Sequence, residues 1–555
     1  MTRTRTTVPA LGSALGIVAA WMSAAVISTP AWAVGDVSKL TAASGDAQIT
    51  LEWVNPTAHT YDGILVLARA GATVTDQPVD GVAYLEGDTI GDSTVACVVT
   101  STAHDCTYAG LTNGTRYHFK VFAYDSALLY SAGERTKARP HAASDLKWSF
   151  SSEASVLGAM GTIATRSVVA AGNDGLLHRM AQANGSRGNW ALPQLGTSIQ
   201  SRPMVGNLNP SGVPDDTAYL AGQNGVLYRY SMDDLGTLDG SRDVIASAGC
   251  TSGLLQAGPV VLLDAYDSNS NNNDDVVIQA TRCGDTNGDG TLNDNAIVLL
   301  SHDLSTIHNS YLGGADGLGI SNGTPLALYR DTANHLIYVP LHDDGGESMV
   351  VLEVDSSPAF GLFSAITGIG DIDASPVLFK KGVDPLLLVG NTTGTVYLYL
   401  AVIHSAGPGS PLLQRDSLTL ADGAVKGVAV STAIGLGGNL FDHWLVWSTD
   451  SQVHGMKVAS NGMFDASTLW HFTVPNASAP IVLRNVQAAG DVTAYVGAAD
   501  GKLYELNATT GAVTRSWVLE PGTVVGDPTF DYNDGVSQGI TAGTTAGTIH
   551  WVPIN

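Results

Sequence analysis

Tyr495-Val-Gly-Ala-Ala-Asp500-Gly501-Lys-Leu-Tyr504 is the stretch that decides how this chain is read. An apolar run meets an Asp-Gly turn and continues into a second run in which apolar and polar side chains alternate. That arrangement is the strongest short-range hairpin signal, because glycine reaches the positive φ that such a turn needs. The same figure recurs at Val169–His178 around Asp174-Gly175, at Tyr219–Tyr228 around Asn224-Gly225 and at Leu388–Tyr397 around Thr393-Gly394. A proline opens an apolar strand ahead of most of these turns: Pro203, Pro259, Pro325, Pro376, Pro480 and Pro528. The prolines are spaced by roughly 50 to 65 residues, and once by about twice 50, as in a repeat architecture. One unit near Val428 therefore lacks its proline and turns at Asp450-Ser451, and the first unit, around Val156, lacks it too. About 50 residues accommodate four short strands, which is one blade of a propeller. Residues 148 to 555 hold eight such units, so the expectation is an all-β chain ending in an eight-bladed ring.

Several units end in a tryptophan strand, at Trp190, Trp470 and Trp517, whereas the last stops at Trp551-Val-Pro-Ile-Asn555, too early to supply one. A spare copy, Lys147-Trp148-Ser-Phe150, precedes the first unit and is expected to complete the last blade. Closing the ring in this way removes a sheet edge that would otherwise template aggregation. The run Ala499-Asp500-Gly501-Lys-Leu-Tyr504-Glu-Leu-Asn-Ala-Thr-Thr-Gly511, with Trp517 after it, resembles the PQQ-like repeat of quinoprotein-alcohol-dehydrogenase-like propellers. The resemblance covers residues 148 to 555. It implies the fold more than an activity, since one fold hosts many functions.

The front of the chain reads as a signal peptide, residues 1–33. Arg3 and Arg5 precede a small-apolar stretch, and Ala31-Trp-Ala33 forms the cleavage site. No second long apolar run follows, so no membrane span is expected in the mature chain. The four cysteines, Cys97, Cys106, Cys250 and Cys283, all lie beyond the signal, and an even count in an exported chain reads as disulfides. The net charge is −25, and loss of Arg3 and Arg5 makes it more negative by two. A chain this acidic lacks the basic face that nucleic acid or anionic lipid requires.

Residues 35–140 read as a separate module, with alternating strands at Ile49–Val54, Gly63–Ala68 and Arg116–Tyr124. Leu111-Thr-Asn-Gly-Thr-Arg-Tyr117-His-Phe-Lys-Val121 is similar to the tyrosine-corner stretch of fibronectin type III domains, and Trp53 occupies the position of that family's core tryptophan. Cys97 and Cys106 bracket what reads as a hairpin-like loop. The polar, proline-bearing stretch Thr136–Ser144 reads as a linker, leaving 141–147 between the two domains.

The third unit is lengthened by two acidic loops. Asp285-Thr-Asn287-Gly-Asp289-Gly290-Thr291-Leu-Asn293-Asp294 matches the opening of a calcium loop, with oxygen ligands at positions 1, 3 and 5 and glycine at 6. It is similar to the loops of EF-hand and dockerin modules but carries Ala296 at position 12, where the bidentate acid belongs. The expected ligands are Asp285, Asn287, Asp289, the carbonyl of Thr291 and a carboxylate from Asp294 or a neighbour; the competing reading is a solvated turn. The companion loop Asp267–Asp275 has no glycine and reads as solvated. Cys250 and Cys283 fall on the same face of the third unit as the calcium loop, so their pairing would tie it down.

Catalytic signatures are mostly missing: there is no His-Glu-x-x-His, Gly-x-Ser-x-Gly or phosphate-cradling glycine loop. His118 and His178 lie in strand patterns as packed or surface residues, and His342-Asp343-Asp344 reads as a turn. Three function classes stay open. The favoured one is an exported non-catalytic binding or scaffold protein for an envelope or extracellular protein or glycan. A secreted polysaccharide-active enzyme is the alternative. A PQQ-dependent dehydrogenase is the third, set back by the absence of adjacent cysteines and of long funnel insertions.

Overall fold

The structure, a computed structural model, describes residues 34–57, 60–142, 145–151, 161–163, 167–187, 190, 193–207, 216–232, 236–250, 252–266, 274–283, 295–311, 326–330, 335–342, 346–354, 359–381, 384–401, 411–431, 443–484, 492–533 and 537–554. Residues 1–33, expected to be a signal segment, Val156 and the expected calcium loop Asp285–Asp294 lie outside them.

The N-terminal strands are β1 (Ser38–Gly45), β2 (Gln48–Val54), β3 (Gly63–Ala70), β4 (Thr89–Ile90), β5 (Ser93–Thr100), β6 (Asp105–Ala109), β7 (Tyr117–Tyr124) and β8 (Glu134–Ala138). They form two antiparallel sheets, β1-β2-β6 and β4-β5-β3-β7-β8. Period-2 alternation turns Ile49, Leu51 and Trp53 of β2 toward Ile64, Val66, Phe119 and Val121 of the other sheet, and these side chains share one core. Trp53 is buried in it, with its indole N–H donated to Asn55 Oδ1 at 2.8 Å. Cys97 and Cys106 are disulfide-bonded, but they do not close a hairpin. Cys97 lies on β5 and Cys106 on β6, which belong to different sheets, so the bond crosses the core. Residues 136–138, expected in the linker, pair with β7 as part of β8.

The remainder is a run of antiparallel sheets taken in chain order. A three-stranded sheet over 161–181 is followed by four-stranded sheets over 204–243, 260–311, 326–367, 377–419, 427–473 and 481–518. Each of the four quoted turns joins paired strands, with Ala171 opposite Leu177, Ala221 opposite Leu227, Gly390 opposite Val396 and Gly497 opposite Leu503. Gly175, Gly225, Gly394 and Gly501 all have φ between 68° and 83°. Five of the six prolines, Pro203, Pro259, Pro376, Pro480 and Pro528, stand immediately before the first strand of their sheets, where the missing N–H costs no ladder bond; Pro325 lies outside the described residues. The unit without a proline starts at Gly427–Val430 and turns between Ser448 and Gln452, as its spacing required. Only local pairing is needed within a sheet, while each face packs on the next. Buried clusters join every successive pair, for example Leu388, Val396 and Leu398 with Leu445, Trp447 and Met456. This is the construction of a β-propeller.

The end of the chain closes onto its beginning. Strand β9 (Trp148–Ser151) pairs with Thr548–Ile554, Trp148 lying opposite Trp551. Trp148, Phe150, Ile549 and Trp551 then pack on Val168, Ala170 and Met180 of the first ring sheet. Tryptophan supplies a recurring clamp between neighbouring sheets. Trp148 donates its indole N–H to Gln182 O at 2.9 Å and lies against Gly185; Trp470 does the same to Ala508 O at 2.9 Å and lies against Gly511. A Cβ at Gly185 or Gly511 would fall within 2.6 Å of the indole ring, and both have φ above 70°, so only glycine fits.

The N-terminal module is not hung on a loose tether. β1 pairs with the other edge of β9 through Ala42–Ser151, Ala43–Phe150 and Ser44–Ser149. One seven-stranded sheet therefore runs from Thr529–Asn533 through β9 into β1, β2 and β6.

Candidate functional site

Three polar regions are candidates for function. The first is the frame of the calcium loop. Cys250 and Cys283 are disulfide-bonded, with Cα atoms 5.6 Å apart. Cys283 N–H donates to Asn295 Oδ1 at 2.7 Å, and Ala296 N–H donates to the Thr281 hydroxyl at 2.9 Å. The two ends of the loop are thus drawn together and anchored to a buried ladder. The proposed ligands themselves, Asp285, Asn287, Asp289, Thr291 and Asp294, fall outside the described residues. Among the described residues no group of three or more His, Cys, Asp or Glu side chains is placed to hold a metal.

The second is the rim carrying the repeat turns. A turn side chain reaches the residue four positions on: Asp174 to His178 at 2.6 Å, Asn224 to Tyr228 at 2.8 Å, Asp500 to Tyr504 at 2.6 Å and Thr544 to Thr548 at 2.6 Å. Burial favours the neutral form of Asp500, but hydrogen bonds from Tyr504 and Lys502 outweigh it and hold the carboxyl below its usual range. His454 reaches across to Asp422, and burial nonetheless keeps its imidazole below the usual value. His178 is buried, as the strand pattern implied, and His342 pairs with Asp373 at 3.0 Å. These groups serve the turns, because each satisfies a neighbour in the same or the next segment. Nearer the axis, Asp527 accepts the Ala479 N–H at 2.8 Å. Burial raises its pKa, opposed by that N–H and by the charge of Arg202. Arg202, Ala479 and Asp527 each precede the proline that opens an inner strand, so they occupy one position in three repeats.

The third is the joint between module and ring, which no sequence motif announced. Glu52 of β2 accepts the backbone N–H of Arg187 at 2.7 Å, from a turn of the first ring sheet. Arg116 and Arg139, at the ring-facing ends of β7 and β8, both pair with Glu520, whose side chain is 4% exposed. His550 is fully enclosed here and shares a 2.9 Å hydrogen bond with Thr548. Burial, with His141 and Arg139 nearby, pulls its pKa down to about 3. The module also carries an open cleft of about 420 Å³ lined by Arg69, Asp92, Thr94, Tyr108 and Tyr117, in which Arg69 and Asp92 already satisfy each other at 2.7 Å. Tyr117 accepts the Thr112 N–H at 3.1 Å, five residues back, as expected of a tyrosine corner.

No protein-family profile matches the chain, and no curated protein sequence does. Solved structures are similar at low identity. BamB from Moraxella catarrhalis is 16% identical over 72% of this chain and 96% of its own, with a TM-score of 0.46. Sqt1 from Saccharomyces cerevisiae is 9% identical over 73% and 97%, with a TM-score of 0.48. The computationally designed protein Ika8 is 12% identical over 74% and 98%, with a TM-score of 0.45. The chain's own strand pairing defines the class: an all-β protein with two disulfides and a β-propeller continuous with an N-terminal pair of sheets. Among the described residues no helix is long and apolar enough to cross a membrane.

Proposed function

We propose that this is an exported, non-catalytic binding or scaffold protein that holds an envelope or extracellular protein or glycan. In this reading residues 1–33 are a signal peptide, 35–140 a fibronectin type III-like sandwich, 141–147 the connection and 148–555 an eight-bladed ring. The observation that carries it is the joint. A sheet that passes from ring to module, reinforced by the Arg116–Glu520 and Arg139–Glu520 pairs, makes one stiff body with a large fixed surface. Fixed surfaces bind without the ordering cost that flexible tethers incur. The eight-blade count is supported by the packing of the last sheet on the first through Trp148 and Trp551. The sandwich is supported by the strand order of the two sheets and the Tyr117 hydrogen bond. The disulfides Cys97–Cys106 and Cys250–Cys283 support an oxidising compartment outside the cytoplasm. Calcium would be held by Asp285, Asn287, Asp289, the Thr291 carbonyl and Asp294 in a structural role, across the loop whose ends Cys283 and Asn295 clamp.

The test uses the mature full chain as bait against envelope extract and culture medium, with a parallel reconstitution in PQQ and calcium. A specific protein or glycan retained in stoichiometric amount supports the reading. Dye-linked alcohol or sugar oxidation that depends on added PQQ, or cleavage of a polysaccharide, replaces it with one of the two enzymatic readings.

A further inference from the structure

The structure assigns a docking surface to the strap between β3 and β4, and the partner it fits is a cationic protein segment bearing aliphatic side chains. This inference rests on the reading of the chain as a binding protein and names where and what it binds.

Residues 71–88 leave β3, cross the outer face of the β5-β3-β7-β8 sheet and return to β4. Val74 and Tyr130 seal a second core there with Leu65, Leu67, Val95 and Phe122. Hydrogen bonds fix the path. Arg135 Nε donates to Val74 O at 3.2 Å, Gly81 N–H to Leu128 O at 3.0 Å, and the Tyr130 hydroxyl to Val82 O at 2.7 Å. With its inner side chains buried, the tip turns others outward: Val79 is 60% exposed, Val82 41% and Leu85 74%, with Leu129 of the adjoining β7–β8 turn at 36%. These are four of the ten exposed large apolar side chains among the described residues, and the other six are scattered along the ring, from Leu238 to Val518. An apolar cluster on an ordered surface marks an interaction site where single exposed residues do not.

The turn is also held under strain. Leu128 sits at φ 58°, a conformation that side chains with a Cβ rarely adopt, pinned by its N–H to Asp125 O at 2.9 Å and by the Asp125 carboxylate on Leu129 N–H at 2.9 Å. Such outliers persist where the surroundings enforce them, and they cluster at binding elements.

Charge selects the occupant. Between Arg69 and Arg116 there is no lysine or arginine, while Asp76, Asp80, Glu86, Asp88 and Asp92 all fall on or beside the strap. Asp80 and Asp88 accept backbone N–H groups of Tyr130 and Leu85, so they are fixed around the aliphatic tip. Anionic lipid and nucleic acid are repelled by this collar. The exposed tip side chains are aliphatic, while Tyr84 between them is half-buried against Tyr130 and accepts the Val79 N–H, so the outward surface fits a protein side chain better than the flat face of a sugar ring. Position leaves it free: Arg116, just before β7, is held by Glu520 of the ring, and β7 carries the chain from there to Tyr124 beside the tip, about 26 Å away at strand rise.

The test titrates the full mature chain with a synthetic alternating Lys–Leu peptide, reading fluorescence anisotropy and site-resolved hydrogen exchange. Binding on the order of 10 μM that weakens with salt, with protection gained at 79–86 and 126–130, is expected. Val82→Asp with Leu85→Asp should weaken it at least tenfold, with an unchanged melting temperature. Leu362→Asp, on the ring, should leave it unchanged. Equal binding by the strap variant, equal binding by oligolysine, displacement by phosphatidylglycerol vesicles or protection confined to the ring each overturn the assignment. The last of these would still leave the chain a binding protein, as would a partner retained by the strap variant in the extract experiment.

Discussion

Replacing Trp148 by alanine tests how the ring is closed. Its side chain is fully buried, packs with Phe150, Ile549, Trp551, Val168 and Met180, and donates to Gln182 O. Truncating a buried tryptophan costs about 3–5 kcal/mol, and the carbonyl left without a partner adds about 1 kcal/mol. The ring has about 400 residues, so at about 2.1 cal/mol/K per residue its unfolding entropy is about 0.85 kcal/mol/K. A loss of 4–6 kcal/mol then lowers the melting temperature by about 5–7 °C. Thermal unfolding followed by tryptophan fluorescence reads the shift, and hydrogen exchange locates it. The protection lost should centre on Thr548–Ile554 and on Ser167–Ala181 of the first ring sheet. Trp53→Ala, a comparable truncation inside the N-terminal core, should instead open residues 38–138. If W148A shifts the transition by less than about 1 °C, or opens only the module, Trp148 does not close the ring and the argument fails.

Further expectations concern the metal, the joint and acid. Asp289→Ala should lower the melting temperature in millimolar calcium and change nothing in EDTA, with an affinity on the order of 10⁻⁴ to 10⁻³ M for the wild type; identical melting in both buffers means a solvated turn. Glu520→Ala removes the carboxylate that Arg116 and Arg139 share; because both arginines are about 30% exposed, the cost is about 1–3 kcal/mol, read as faster exchange at 112–116 and 139–141 and unseen if the pairs are idle. His550 has a folded pKa of about 3, below the unfolded imidazole value near 6.5, so between them the unfolded chain binds the extra proton. Its contribution is complete above about pH 6.5 and declines on acidification toward pH 3, by about 1.4 kcal/mol per pH unit. His550→Gln should flatten urea midpoints in that window, and an unaltered slope counts against a neutral buried imidazole.

What the sequence determined by itself is local. Asp-Gly and Asn-Gly turns between alternating runs specify hairpins, because glycine at positive φ and a period of two are properties of a few adjacent residues. The prolines mark strand starts for a similar reason, and the even set of cysteines announced two disulfides. The spare tryptophan strand at Trp148 was legible because one repeat was visibly short. Tertiary structure decided what lies between distant segments. That Cys97 and Cys106 join two sheets rather than close a hairpin depends on how β5 and β6 part company. That Thr136–Ala138 is strand and not linker depends on β7. The pairing of Ala42–Ser44 with Ser149–Ser151 and the meeting of Arg116 and Arg139 with Glu520 leave no mark in either stretch alone. Nor does the strap betray its outward side chains, since Val74 and Val79 look alike until the sheet beneath buries one and leaves the other in water. Burial is a property of neighbours, and neighbours far apart in the chain are fixed only when the whole surface is packed.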